Sequence, residues 1–113
     1  MKVIDVFEQY FEGAARVNGR DRHAAQVKLT AESDAGMIRY EVSVNFFPHD
    51  QADDFGISYD GFYAREIYNA KGRRSKKREE VFLKSLRQDA DALAAEIGGS
   101  IDWEKPLIEA RRG

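Results

Sequence analysis

The stretch Ala25-Gln26-Val27-Lys28-Leu29-Thr30-Ala31-Glu32, answered by Ile38-Arg39-Tyr40-Glu41-Val42-Ser43-Val44-Asn45-Phe46, decides the fold. Apolar and polar residues alternate in both, the period of a strand with one dry and one wet face. Asp34-Ala35-Gly36 supplies a turn between them, so the two segments read as an antiparallel hairpin. Pro48 ends the second strand, because proline cannot donate to the ladder. Ala25, Val27, Leu29 and Ala31 then share the inner face with Ile38, Tyr40, Val42, Val44 and Phe46.

Toward the N-terminus the period changes. Val3, Val6, Phe7, Tyr10, Phe11, Ala14 and Val17 recur at three- and four-residue steps, which predicts an amphipathic helix. Asn18-Gly19 would stop it, since both residues tolerate the left-handed conformation that ends helices. Downstream, 48–54 reads as a polar loop with His49, Asp50, Asp53 and Asp54, followed by a short strand through Phe55, Ile57 and Tyr59. The segment from Asp60 to Lys71 admits two readings. Asp60-Gly61 closes a hairpin onto a fourth strand, or Asp60 caps a helix ending at Gly72. The helix is preferred, because Ala64, Arg65 and Glu66 form helices readily.

A long helix follows from Ser75 to Ile97, with Ser75 as N-cap and Phe82, Leu86, Ala90, Leu93, Ala94 and Ile97 as its buried stripe. Gly98-Gly99 stops it, Ile101-Asp102-Trp103 reads as a short edge strand, and 104–113 as a loose tail. The expected architecture is α+β. An N-terminal helix precedes an antiparallel sheet of three or four strands, and the long C-terminal helix packs on one sheet face, leaving the wet face of the hairpin open.

The 113 residues fit one domain, and 42% hydrophobic content supports a true core. The absence of cysteine excludes disulfides, thiolate nucleophiles and finger-type zinc sites, and fits a reducing compartment. Met1-Lys2-Val3-Ile4-Asp5 lacks the apolar run of a signal peptide and no segment matches a membrane span, so a cytoplasmic location is expected.

Charge is unevenly placed. Lys71-Gly72-Arg73-Arg74-Ser75-Lys76-Lys77-Arg78 holds six of the eighteen basic residues, in a chain whose formal net charge is −2. Such a concentration marks a site for polyanions. Cations in a first helical turn oppose the dipole, whereas a bound phosphate would be attracted by side chains and free N–H groups together. Lys71, Arg73, Arg74, Ser75, Lys76, Lys77 and Arg78 are therefore the candidate nucleic-acid-binding residues, with phosphate contacts and little sequence specificity expected. DNA, RNA or another polyanion would satisfy this reading.

Gly72-Arg73-Arg74-Ser75-Lys76-Lys77, opening a helix after an antiparallel sheet, resembles the second-helix start of double-stranded-RNA-binding domains. That resemblance implies phosphate contacts for Lys76 and Lys77. The chain also resembles uncharacterised small proteins of bacterial mobile (conjugative) elements. Val42-Ser43-Val44-Asn45-Phe46-Phe47-Pro48 and the basic run carry that likeness, which implies an accessory role near nucleic acid.

Catalysis is not expected. Ser58 and Ser75 lie in no nucleophile elbow, and Gly72-Arg73-Arg74-Ser75 lacks the glycine and lysine spacing of a phosphate-binding loop. His49, Asp50, Asp53 and Asp54 lack the spacing of a metal site and read as a solvated turn, and His23 reads as incidental. No cofactor is implied. The competing function is a protein-interaction module or homodimer that uses the aromatic stretch 59–68 (Tyr59, Phe62, Tyr63, Tyr68) and Trp103.

Overall fold

The computed structural model describes residues 1–48 and 60–107. Among the described residues five strands form one antiparallel sheet: β1 (Lys2–Val17), β2 (Arg20–Asp34), β3 (Met37–Phe47), β4 (Phe62–Lys71) and β5 (Ser100–Pro106). The helix α1 (Lys76–Glu96) lies between β4 and β5 in the chain. Spatial order is β4-β3-β2-β1-β5, so the first four strands form a meander and β5 returns to the free edge of β1.

The central hairpin forms with the register its alternation requires, Val27 opposite Val44 and Leu29 opposite Val42. Ala35 and Gly36 both adopt positive φ, 52° and 78°, the two-residue turn whose twist matches paired strands. Ala25, Val27, Leu29, Ile38, Tyr40, Val42, Val44 and Phe46 are fully buried. Leu86, Ala90, Leu93 and Ala94 of α1 cover them.

The expected N-terminal helix is instead β1, and the sheet has five strands rather than three or four. Two bulges break the two-residue period. Between Asp5 and Phe7, and again between Glu12 and Ala15, β1 advances one residue more than its partner. Ile4 and Phe7 thus face the same side opposite Ala31 and Leu29, and Phe11 follows opposite Ala25. The first bulge makes the step of three, and Gln9, opposite Val27 between Phe7 and Phe11, leaves the step of four; together they imitate a helix. Tyr10 lies on the other side opposite Gln26 and packs edge-on against Phe47, so an aromatic side chain packs on each face of the strand. Asn18-Gly19 (φ 51° and 76°) closes the β1–β2 hairpin rather than stopping a helix, because both structures demand the same positive φ.

The preferred helix over 60–71 is corrected likewise. Phe62–Lys71 is the edge strand β4, paired with β3 from Asn45↔Phe62 to Met37↔Lys71. The ladder outweighs the weak helical preference of Ala64, Arg65 and Glu66. Asp60 caps nothing. It accepts two hydrogen bonds from the buried Arg22 guanidinium at 2.8 and 2.9 Å and one from Asn18 at 3.2 Å, tying the first turn to the start of β4.

The face away from α1 is divided. Toward one end it is polar and ion-paired: Lys28 meets Asp5 at 3.3 Å, and Arg39 meets Glu32 at 2.5 Å. Toward the other, Ala24, Gln26, Ser43, Asn45 and Phe47 are buried, so only part of the expected wet face is open. The short strand at 55–59 and the loop carboxylates Asp50, Asp53 and Asp54 with His49 lie outside the described residues. Among the described residues, no helix is long and apolar enough to cross a membrane.

Candidate nucleic-acid interface

The basic run spans the junction of β4 and α1. Lys71 ends β4, and Gly72 at φ 129° turns the chain under a hydrogen bond from its N–H to the Gly36 carbonyl at 2.9 Å. Ser75 then caps α1: its extended backbone (φ −133°, ψ 118°) lets the hydroxyl accept from the Arg78 N–H at 3.2 Å. The helix start expected from sequence is therefore formed by that residue, and its side chain is occupied in holding the first turn.

The other candidates divide by partner. Arg74 donates from Nε and Nη2 to the two Glu79 carboxylate oxygens at 2.8 and 2.9 Å. Glu79 is only 5% exposed. It also accepts the Tyr40 hydroxyl at 2.8 Å, and that hydroxyl receives the Ser75 N–H at 3.2 Å. The Arg74 hydrogen bonds hold the Glu79 pKa below the usual carboxylate range against burial, while burial pushes the Tyr40 phenol up. Arg74 thus neutralises an internal carboxylate and is not available to a ligand on the same terms as its neighbours.

Arg78 is half-buried, its guanidinium 4.4 Å from the centre of the Tyr68 ring. Lys71, Arg73, Lys76 and Lys77 are exposed and form no ion pair among the described residues. That contrasts with the sheet, where Arg22, Lys28, Arg39 and Arg65 each face a carboxylate. The four unpaired cations bracket the N-terminus of α1.

Beside them runs a groove of about 400 Å³ lined by Tyr68, Ser75, Lys77, Arg78, Val81 and Phe82. Sequence reading assigned Phe82 to the core and passed over Val81, which stands 60% exposed on the helix. The signal was present but faint, since Val81 is an apolar residue off the Phe82–Leu86–Ala90 stripe. Nothing in the local sequence indicates Tyr40 as the anchor of Glu79.

The aromatics of the competing reading occupy several environments. Trp103 packs on Phe11 with ring centres 4.7 Å apart and donates to Asp91 at 2.8 Å. Tyr68 contacts Tyr40 and Phe82 at 6.0 and 5.9 Å. Phe62 is 42% exposed at the edge of the sheet, and Tyr59 lies outside the described residues. His23 is exposed near the start of β2, and no group of three metal-ligating side chains occurs among the described residues. No family model, curated protein or solved structure matches this chain.

Proposed function

We propose that the β4–α1 junction binds the phosphate backbone of nucleic acid, through Lys71, Arg73, Lys76 and Lys77, with little sequence preference. The observation that carries this reading is the set of four exposed cations that form no close ion pair among the described residues, gathered at one helix start. Helical N–H groups and side-chain charge there attract an anion together. Lys76 and Lys77 occupy the positions that the resemblance to double-stranded-RNA-binding domains gives to phosphate-contacting lysines. The likeness is confined to that helix start, because β1 stands where that family has its first helix. The role is that of a cytoplasmic, non-enzymatic accessory protein, as the resemblance to proteins of bacterial mobile elements implies.

Fluorescence anisotropy against duplex RNA, duplex DNA and single strands at 50 and 200 mM salt tests the reading. Log affinity should fall with log salt at a slope of up to about −3.5 for four phosphate contacts on a duplex. A Lys71/Arg73/Lys76/Lys77→Ala variant should flatten that slope. Absence of binding to every nucleic acid at the lower salt would overturn the reading.

A further inference from the structure

Three features meet in the groove between β4 and the first turns of α1. Its volume, about 400 Å³, lies within the range of about 300 to 1,000 Å³ in which small ligands are held. Its wall is apolar and aromatic, from Tyr68, Phe82 and the 60%-exposed Val81. Its rim carries Lys77 and Arg78, continuous with the unpaired cations of the basic run. The Tyr68 ring already supports one flat cation: the Arg78 guanidinium lies 4.4 Å from its centre, and among the described residues Arg78 has no carboxylate partner. A guanidinium backed by a ring is a plate on which a further planar group can stack.

We infer that this groove receives an unpaired nucleobase, stacked on the Arg78 guanidinium and against Val81, while Lys76, Lys77 and Arg73 hold the neighbouring phosphates. This rests on the proposed nucleic-acid reading and names its substrate as single-stranded rather than duplex. Bases within a duplex are already stacked on one another and cannot enter. Stacking on a π-face accepts any base, which agrees with weak sequence preference.

An acidic peptide is the other partner of matching charge, and the strand beside the groove disfavours it. A peptide adding to β4 needs a continuous row of edge amides and carbonyls. The β3–β4 ladder skips a residue at Ile67, between the pairs Glu41↔Glu66 and Tyr40↔Tyr68, and such bulges bend an edge away from further pairing. Toward the other end of α1, an Arg65–Glu96 ion pair bridges helix and strand, so the opening suits one planar unit better than an extended chain.

The test uses the full chain and three labelled probes at 50 mM salt: a ten-nucleotide pyrimidine strand, the same backbone with abasic sites, and a ten-base-pair duplex. The base-bearing strand should bind about ten-fold tighter than the abasic one, the scale of one stacked base. Arg78→Lys keeps the charge and removes the plane, so it should abolish the difference between the base-bearing and abasic strands. Trp103 emission and far-UV circular dichroism verify that the variant is folded. Equal affinity for base-bearing and abasic strands overturns the inference and leaves backbone binding standing. Loss of all three interactions at this salt overturns the function reading and the inference with it. Tighter binding of a labelled glutamate-rich decapeptide than of any strand overturns the inference in favour of a protein partner.

Discussion

The Arg74 guanidinium meets the Glu79 carboxylate through two hydrogen bonds, although Arg74 stands among five other cations. One turn of helix therefore contains both a built-in ion pair and a set of charges left for a partner. The two groups should respond differently to substitution. Arg74→Ala strands a nearly buried carboxylate with the Tyr40 hydroxyl as its remaining donor and should cost about 2 kcal/mol, moderated because Arg74 is itself 39% exposed. Lys71, Arg73, Lys76 and Lys77 changed to Ala should each stay within about 0.5 kcal/mol of the parent. Urea midpoints with unchanged slopes would separate the two classes, and an Arg74→Ala loss below the lysine values would show that solvent screens the pair.

The same pair sets an acid limb. Because the folded-state pKa of Glu79 is lowered, its contribution is present above the unfolded value, near 4.3, and is lost as pH falls through the folded value. Stability should therefore decline below about pH 4.5, and Glu79→Gln should flatten that limb while lowering the plateau. Chemical denaturation from pH 7 to pH 3 reads both.

Tyr40 gives the alkaline counterpart. Burial raises its folded pKa, so its contribution holds below the unfolded value near 10 and disappears as pH rises through the folded one. Tyr40→Phe should remove that alkaline decline. It should also weaken the helix start, since the Ser75 N–H and Glu79 both lose a partner. Absorbance of tyrosinate during an alkaline titration identifies the step.

Gly13 of β1 is paired with Ile101 of β5. A Cβ there would lie 2.7 Å from the Ser100 carbonyl oxygen, a backbone atom that cannot swing aside. Gly13→Ala should destabilise by about 1 to 3 kcal/mol and should act on β5 first. Amide exchange ought to rise at 100–106 before it rises in the central hairpin; uniform loss of protection would argue against a local clash.

Trp103 is the one tryptophan and links β5 to both layers, packing on Phe11 and donating to Asp91. Asp91→Ala should red-shift its emission and cost about 1 kcal/mol or less, since the bond is exposed. An unshifted spectrum would mean that Phe11 and the Arg87 guanidinium, 5.5 Å away, fix the ring by themselves.

What could be read from the chain follows from where its signals are local. The central hairpin was legible because every second residue is apolar from Ala25 to Ala31 and from Ile38 to Phe46, with Gly36 marking the turn between. The start of α1 was legible because a cap is a four-residue event, and Ser75 with the Arg78 N–H fulfils it. β1 was not, because a bulge after Asp5 lengthens one step to three and Gln9 interrupts the apolar alternation between Phe7 and Phe11. β4 was legible only as the second of two readings, because an edge strand draws its stability from β3, twenty-three residues earlier in the pairing of Arg65 with Val42. The basic run was visible as composition, yet its partition was hidden. Tyr40, which helps hold Glu79, lies 39 residues away in sequence.

The route of β5 imposes an order of assembly. β1, β2 and β3 can zip together through two-residue turns, each closure adding little chain entropy. β5 reaches its place only after α1 has crossed the sheet, because Ser100 pairs with Ala14 across almost the whole described sequence. Until that late step, the outer hydrogen-bonding rim of β1 remains bare in a strand that carries aromatic side chains on both sides. The chain thus has an interval during folding when it is most prone to join another copy of itself, and the speed of that last closure governs how long the interval lasts.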